Sequence, residues 1–216
     1  MANRTVIIAG ATGLVGSEIL GGLLADEGVA NVHSFGRKAP EIEHPKLTPH
    51  VVEFTALPSL PVADELYLAL GTTIKVAGSQ RAFRAIDYDA NLAVAKAALI
   101  AGVKKVGLVS AMGADPKSKI FYSRVKGDLE NALGLLPYQG LVIARPSLLV
   151  GDRDAVGQPK RRGEELGLAL SKAVGFLIPP NYKPIKAADV ANALLIAVPW
   201  AKGKTVMLSG SMHGTK

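Results

Sequence analysis

The sequence predicts an α/β fold: a doubly wound parallel sheet with helices on both faces and a small C-terminal segment on the substrate side. Three observations predict it. Short apolar runs rich in β-branched residues alternate with stretches of helical spacing, the pattern of βαβ units. The first run leads straight into a glycine turn, Gly10, Gly13 and Gly16. Later runs end in Gly36-Arg37, Gly71-Thr72-Thr73, Ser110 and Arg145-Pro146. In open parallel sheets, ligands bind at such carboxyl ends, near the point where strand order reverses.

The elements follow in order. Arg4–Ala9 (RTVIIA) is apolar on both alternating faces, as a strand covered by helices on each side must be. Leu14–Asp26 carries apolar residues at 14, 15, 19, 20, 23 and 24, which is helical spacing. Val32–Phe35 is a second strand and Val51–Phe54 a candidate third. Glu65–Leu70 (ELYLAL) is a fourth strand. Asp87–Ala101 is an alanine-rich helix closed by Gly102. Lys105–Val109 is a fifth strand, Tyr122–Leu133 a helix and Leu141–Ala144 a sixth strand. Gly163–Val174 and Ala188–Val198 are further helices, and Lys204–Leu208 is a last strand. The polar loop Gly151–Gly163 reads equally well as a closing lid or as an ordinary surface excursion. The whole chain, 1–216, reads as one nucleotide-binding domain, with 151–200 supplying the substrate side.

Composition removes several classes of function. The chain is 49% hydrophobic and 20% charged, which is ordinary for a globular domain. It contains no cysteine, so disulfides, zinc thiolates and cysteine nucleophiles are excluded. His33, His44, His50 and His213 show no metal-ligand spacing, and no metal is expected. The net charge is +7, but the cations are spread along the chain, with one cluster at Lys160-Arg161-Arg162. Aromatic residues make up 5%, which is poor for base stacking, so no nucleic-acid partner is expected. No apolar stretch is long enough to span a bilayer, and no cleavable export signal is visible. A cytoplasmic protein with no membrane partner is the expectation. The apolar helix Ala90–Ala101 leaves room for a homodimer.

The glycine turn reads GxxGxxG and not the usual GxGxxG, because position 12 is Thr. Its physical demands are similar: a tight strand-to-helix turn, close approach of a pyrophosphate to the backbone, and close helix–strand packing. The helix start then offers free N–H groups to phosphate. Gly10, Thr12, Gly13, Leu14, Val15 and Gly16 are the candidate cradle. A dinucleotide is the expected ligand. An NAD site places a carboxylate near the end of the second strand. Here the sequence reads Ser34-Phe35-Gly36-Arg37-Lys38. Arg37, with Lys38 second, suits the 2′-phosphate of NADP; the other reading of Arg37 is a plain surface charge.

Tyr122 and Lys126 stand four residues apart, on one helix face. A phenol beside an ammonium can exchange a proton with a carbonyl oxygen while a nicotinamide moves hydride. Ser110, ending the fifth strand, could bond the same oxygen; the alternative is a turn serine.

These residues in this order resemble the short-chain dehydrogenase/reductase superfamily. GATGLVG, VSAMGADPKSKIFYSRVKGDLE and ARPSLLVGDR are most similar to its atypical group of Tat-interacting-protein-like reductases. The resemblance covers nearly the whole chain. It implies an NADP-binding Rossmann fold, with Tyr122 as catalytic acid/base and Lys126 on the nicotinamide ribose. It implies that Gly71 and Thr72, with Thr73 beside them, line the adenosine side, and that Pro146 and Ser147 border the nicotinamide. Ala188–Ala191 resembles the segment that closes the substrate region. One departure stands out: the group carries two serines where this chain has Ser110-Ala111.

The reading that follows is an NADPH-dependent reductase of a small carbonyl compound. Its rival is an NADPH-binding redox sensor with little or no turnover. A sugar-nucleotide epimerase or dehydratase is a third reading, for which the C-terminal lobe is short.

Overall fold

In the computed structural model, residues 3–150 and 179–215 are described. The predicted helix Gly163–Val174 and the loop Gly151–Gly163 lie outside them. Seven parallel strands form the main sheet, in the order β3-β2-β1-β4-β5-β6-β9. They are β1 Arg4–Ala9, β2 Val29–Gly36, β3 Leu47–Val51, β4 Glu65–Leu68, β5 Lys105–Val109, β6 Gly140–Arg145 and β9 Gly203–Leu208. A small parallel pair, β7 Leu149–Val150 and β8 Ile185–Lys186, lies beside it. This is the doubly wound, Rossmann-type order, with the reversal between β1 and β4.

The alternation of β1 explains its composition. Val6 and Ile8 pack with α1 (Leu14–Ala25) and α6 (Ala187–Ala197), while Ile7 and Ala9 pack on the other face. That second face is covered by α4 (Asn91–Ile100) and α5 (Phe121–Gly134) through Val94, Ala95, Ala98, Leu129 and Leu133. Both faces are dry, so every residue from Val6 to Ala9 is apolar and buried.

Several sequence expectations shift. The second strand, expected over Val32–Phe35, runs from Val29 to Gly36. The third strand is Leu47–Val51, not Val51–Phe54. It is a sheet edge, largely exposed, and carries Pro49, which an edge tolerates and a central strand does not. The helix expected over Asp87–Ala101 begins earlier and irregularly. Two short helices, α2 Ile74–Ala77 and α3 Gln80–Arg84, lead into a π-helical turn, Ala85–Ala90, before α4. The fourth strand ends at Leu68, which frees Ala69–Thr73 to form the loop at the strand-order reversal.

Candidate cofactor and catalytic site

The glycine turn and the loop after β4 meet where the strand order reverses. Gly10 has a φ of +91°, which L side chains rarely adopt, and a Cβ there would stand 2.6 Å from the backbone of Ala69. A Cβ on Gly16 would overlap the Gly10 carbonyl and lie 2.8 Å from its carbon. These two glycines therefore press turn, helix and neighbouring loop together. Gly13 differs. It is the N-cap of α1, with ordinary extended backbone, and its nearest neighbour to a Cβ is Gly10 O at 3.3 Å.

The helical ladder of α1 begins with Ser17 N–H donating to Gly13 O at 2.8 Å. The N–H groups of Leu14, Val15 and Gly16 precede it, and no side chain caps them. No acidic residue stands in that first turn. Uncapped donors at the positive end of a helix dipole suit a phosphate. Thr12 is exposed beside them. Arg37 and Lys38 are exposed just past the end of β2. Residues 34–38 carry no carboxylate.

After β4, Gly71 is exposed and Thr72 N–H donates to Asp87 Oδ2 at 2.9 Å. Thr73 caps α2, its hydroxyl accepting from Val76 N–H at 3.1 Å.

Helix α5 carries the remaining chemistry. The loop after β5 fixes it: Asp115 N–H donates to Ser123 O at 3.0 Å, and Gly127 lies so close to Asp115-Pro116 that a Cβ would not fit. Tyr122 is half-buried against Phe83, with ring centroids 5.5 Å apart. Lys126 is buried, its Nζ 2.7 Å from Asp87 Oδ1. Burial alone would weaken this ammonium's hold on its proton. That is the largest single effect, but the charge of Asp87, with Tyr122, the hydrogen bond to Asp87 and Glu130, together outweighs it, and the Lys126 pKa lies above the ordinary lysine value.

One more turn along the same face, Glu130 is 2% exposed. It accepts from Arg145 at 2.5, 3.0 and 3.2 Å. Those bonds, ahead of burial, hold the guanidinium above its usual pKa. Ser110 Oγ donates to Glu130 Oε1 at 2.5 Å. The Ser110 hydroxyl is therefore tied to the helix, and Ala111 next to it offers no substitute. Ser147 is also engaged: its hydroxyl donates to Lys183 O and accepts from Ser209 Oγ at 3.0 Å. Pro146 is buried, its carbonyl accepting from Met112 N–H at 2.8 Å.

The structure thus gathers the glycine turn, Gly71, Thr72, Tyr122 and Lys126 at the carboxyl ends of the strands. It gives Ser110, Ser147 and Thr73 internal partners. Two buried carboxylates, Asp87 and Glu130, join the site without having been expected there. The four-residue spacing Tyr122, Lys126, Glu130 puts Glu130 on the same helix face; nothing local marks Asp87.

Comparison with known proteins agrees with this architecture. No family model matches the chain. The protein FMP52, mitochondrial, of Coccidioides immitis is 35% identical over 212 residues, spanning 89% of this chain and 85% of its own. The chain belongs to the FMP52 family. Further relatives spanning most of the chain carry the same mitochondrial designation, which overturns the cytoplasmic expectation for this family. That expectation rested on the absence of a cleavable export signal and of cysteine, features that do not report this compartment. Among solved structures, WbmH of Bordetella bronchiseptica in complex with NAD+ superposes with a TM-score of 0.70 at 18% identity, covering 96% of this chain and 76% of its own. The oxidoreductase ylbE of Lactococcus lactis superposes at 0.64 with 16% identity, covering 94% and 89%. These likenesses establish the Rossmann fold for this FMP52-family chain.

Proposed function

We propose that this chain is an NADPH-dependent oxidoreductase of the atypical short-chain dehydrogenase/reductase type that reduces the carbonyl of a small molecule, and that it works in a mitochondrial setting. The observation that carries the reading is the meeting of an uncapped, glycine-walled helix start with the Tyr122–Lys126 face at the carboxyl ends of the central strands. The mitochondrial names of its relatives support the setting. The donors fit a dinucleotide. Leu14, Val15 and Gly16 would hold the pyrophosphate, and Arg37 with Lys38 the 2′-phosphate. NAD-bound structures with this fold support a nicotinamide dinucleotide, and the basic, carboxylate-free end of β2 supports NADP.

NADPH held there would supply the hydride that reduces the carbonyl carbon. Tyr122 gives its phenolic proton to the carbonyl oxygen, so the product leaves as an alcohol. Lys126, buried and held charged by Asp87, stabilises the phenolate left behind and would hold the ribose. Solvent then returns the proton to Tyr122.

The test is NADPH oxidation against a panel of aldehydes, ketones and quinones. Wild-type turnover with Tyr122→Phe at least about 10²-fold slower, at unchanged cofactor affinity, is expected for a group that acts in the transition state. Comparable kcat in the variant would sink the assignment. One observation favours a second reading, an NADPH-binding sensor without turnover: Ser110 is bound to Glu130 and Ala111 leaves no other hydroxyl there. Tight NADPH binding with silence across the panel would favour it.

A further inference from the structure

Asp87 is fully buried, and it sits in the one irregular turn of the helical segment over the site. Both its oxygens point at functional positions. Oδ1 meets Lys126 Nζ at 2.7 Å, and Oδ2 accepts the Thr72 N–H at 2.9 Å. Asn91, also fully buried, locks the turn in place. The two protons of its Nδ2 are shared among the carbonyls of Leu70, Ile86 and Asp87, each 3.2 Å away. The first of these belongs to the loop after β4, so Asn91 and Asp87 pin the same loop from two sides. The ion pair lies directly under that loop. A Cβ on Gly71 would stand 3.5 Å from Asp87 Oδ1 and 3.7 Å from Lys126 Nζ. A π turn is a rare device that often marks a functional position. Here it delivers a carboxylate that a regular helix would place elsewhere.

We propose that Asp87 is the positioning residue of the site: it holds Lys126 as an ammonium, aims it at the strand ends where a cofactor ribose would lie, and couples it to the Thr72 backbone. This rests on the function proposed above. Glu130 is the other carboxylate near Lys126, but its oxygens are taken by Ser110 and Arg145. Among the described residues, the ion-pair partner of Lys126 is Asp87. A lysine this deeply buried would give up its proton readily without a neighbouring anion. A neutral amine could neither bind the ribose as firmly nor stabilise a phenolate. Asp87 thus acts through Lys126 and needs no contact with substrate.

The experiment uses Asp87→Asn, which keeps the shape and a carbonyl acceptor for Thr72 while removing the charge. Asp87→Glu serves as the conservative rescue, and Lys126→Met as the reference. Two readouts are taken on the full-length protein. The first is the 15N NMR titration of the Lys126 amine without cofactor. The second is NADPH affinity against pH, by nicotinamide fluorescence. In Asp87→Asn the Lys126 proton is expected to be lost about 1–3 pH units lower than in wild type. NADPH affinity should fall about tenfold or more and weaken in step with that titration. Asp87→Glu should restore part of both. Lys126→Met should make the loss of Asp87 silent in a double-mutant cycle.

An unchanged Lys126 titration in Asp87→Asn overturns the proposal, as does a fall in thermal stability with an unaltered binding profile. If Asp87→Asn does not fold, Asp87→Glu carries the same decision, because a displaced carboxylate must shift the titration in part. A wild-type protein that binds no nicotinamide dinucleotide overturns the proposed function instead; the Lys126 titration then decides the hold of Asp87 by itself.

Discussion

Gly13 and Gly16 differ in what they meet, and that difference separates ligand binding from folding. In Gly16→Ala the new methyl would lie 2.8 Å from the Gly10 carbonyl carbon and overlap its oxygen, where carbons ordinarily rest about 3.5–4.0 Å apart. Turn and helix must part by close to an ångström. Overpacking of this kind costs about 1–3 kcal/mol, here at the upper end because both sides are backbone. At roughly 2–4 °C per kcal/mol for a domain this size, Tm should fall by about 6–12 °C. In Gly13→Ala the backbone (φ −83°, ψ 166°) suits alanine, and the nearest atom is 3.3 Å away. Alanine is a poorer N-cap than glycine, and its stiffer unfolded chain offsets part of the loss; the net is within about 1 kcal/mol. In the proposed function the methyl would stand where a pyrophosphate approaches the backbone. NADPH affinity should therefore drop about tenfold or more, near 1.4 kcal/mol, at almost unchanged Tm. Scanning fluorimetry and calorimetric titration read the two quantities on one preparation. Wild-type NADPH affinity in Gly13→Ala would refute the assignment of this turn to the cofactor.

Two further expectations concern charges away from that turn. Arg145→Met leaves the buried Glu130 carboxylate with the Ser110 hydroxyl as its hydrogen-bond partner and a Lys126 ammonium already paired with Asp87, and stability in urea should fall by about 3 kcal/mol; a wild-type midpoint would show that the pair contributes nothing. His33, whose Nδ1 lies 3.1 Å from His50 Nε2, has its pKa lowered first by burial and then by His50. A histidine with a depressed folded pKa takes up its proton more readily when unfolded. Its contribution is therefore present above the unfolded value near 6.5 and is lost as pH falls towards the folded value. His33→Gln should flatten the rise in stability through the range just below pH 6.5, and an unchanged slope would contradict this.

The fold was legible where burial is two-sided and continuous. Arg4–Ala9 and Lys105–Val109 have the bounds their apolar runs imply. The strand Leu47–Val51 was not legible, because an exposed edge selects no apolar pattern and Pro49 disguises it. The π turn Ala85–Ala90 merged with the helix beyond it, since alanine-rich spacing looks the same in both. In the site, Gly10, Gly16, Tyr122 and Lys126 could be read from spacing because turns and helix faces are local. Asp87 and Glu130 could not be recognised as buried, because a charged residue enters a core only when a distant partner neutralises it. Arg145 and Lys126 are those partners, 15 and 39 positions away. Ser110 shows the converse: a residue type suited to catalysis whose hydroxyl the fold spends on Glu130.

The most direct measurement is a paired calorimetric titration of the wild-type protein and Arg37→Ala with NADPH and NADH. Wild type should bind NADPH more tightly than NADH, by about tenfold or more, and Arg37→Ala should erase the difference while leaving NADH affinity alone. Equal affinity for the two cofactors, or an NADPH preference that survives in Arg37→Ala, would contradict this.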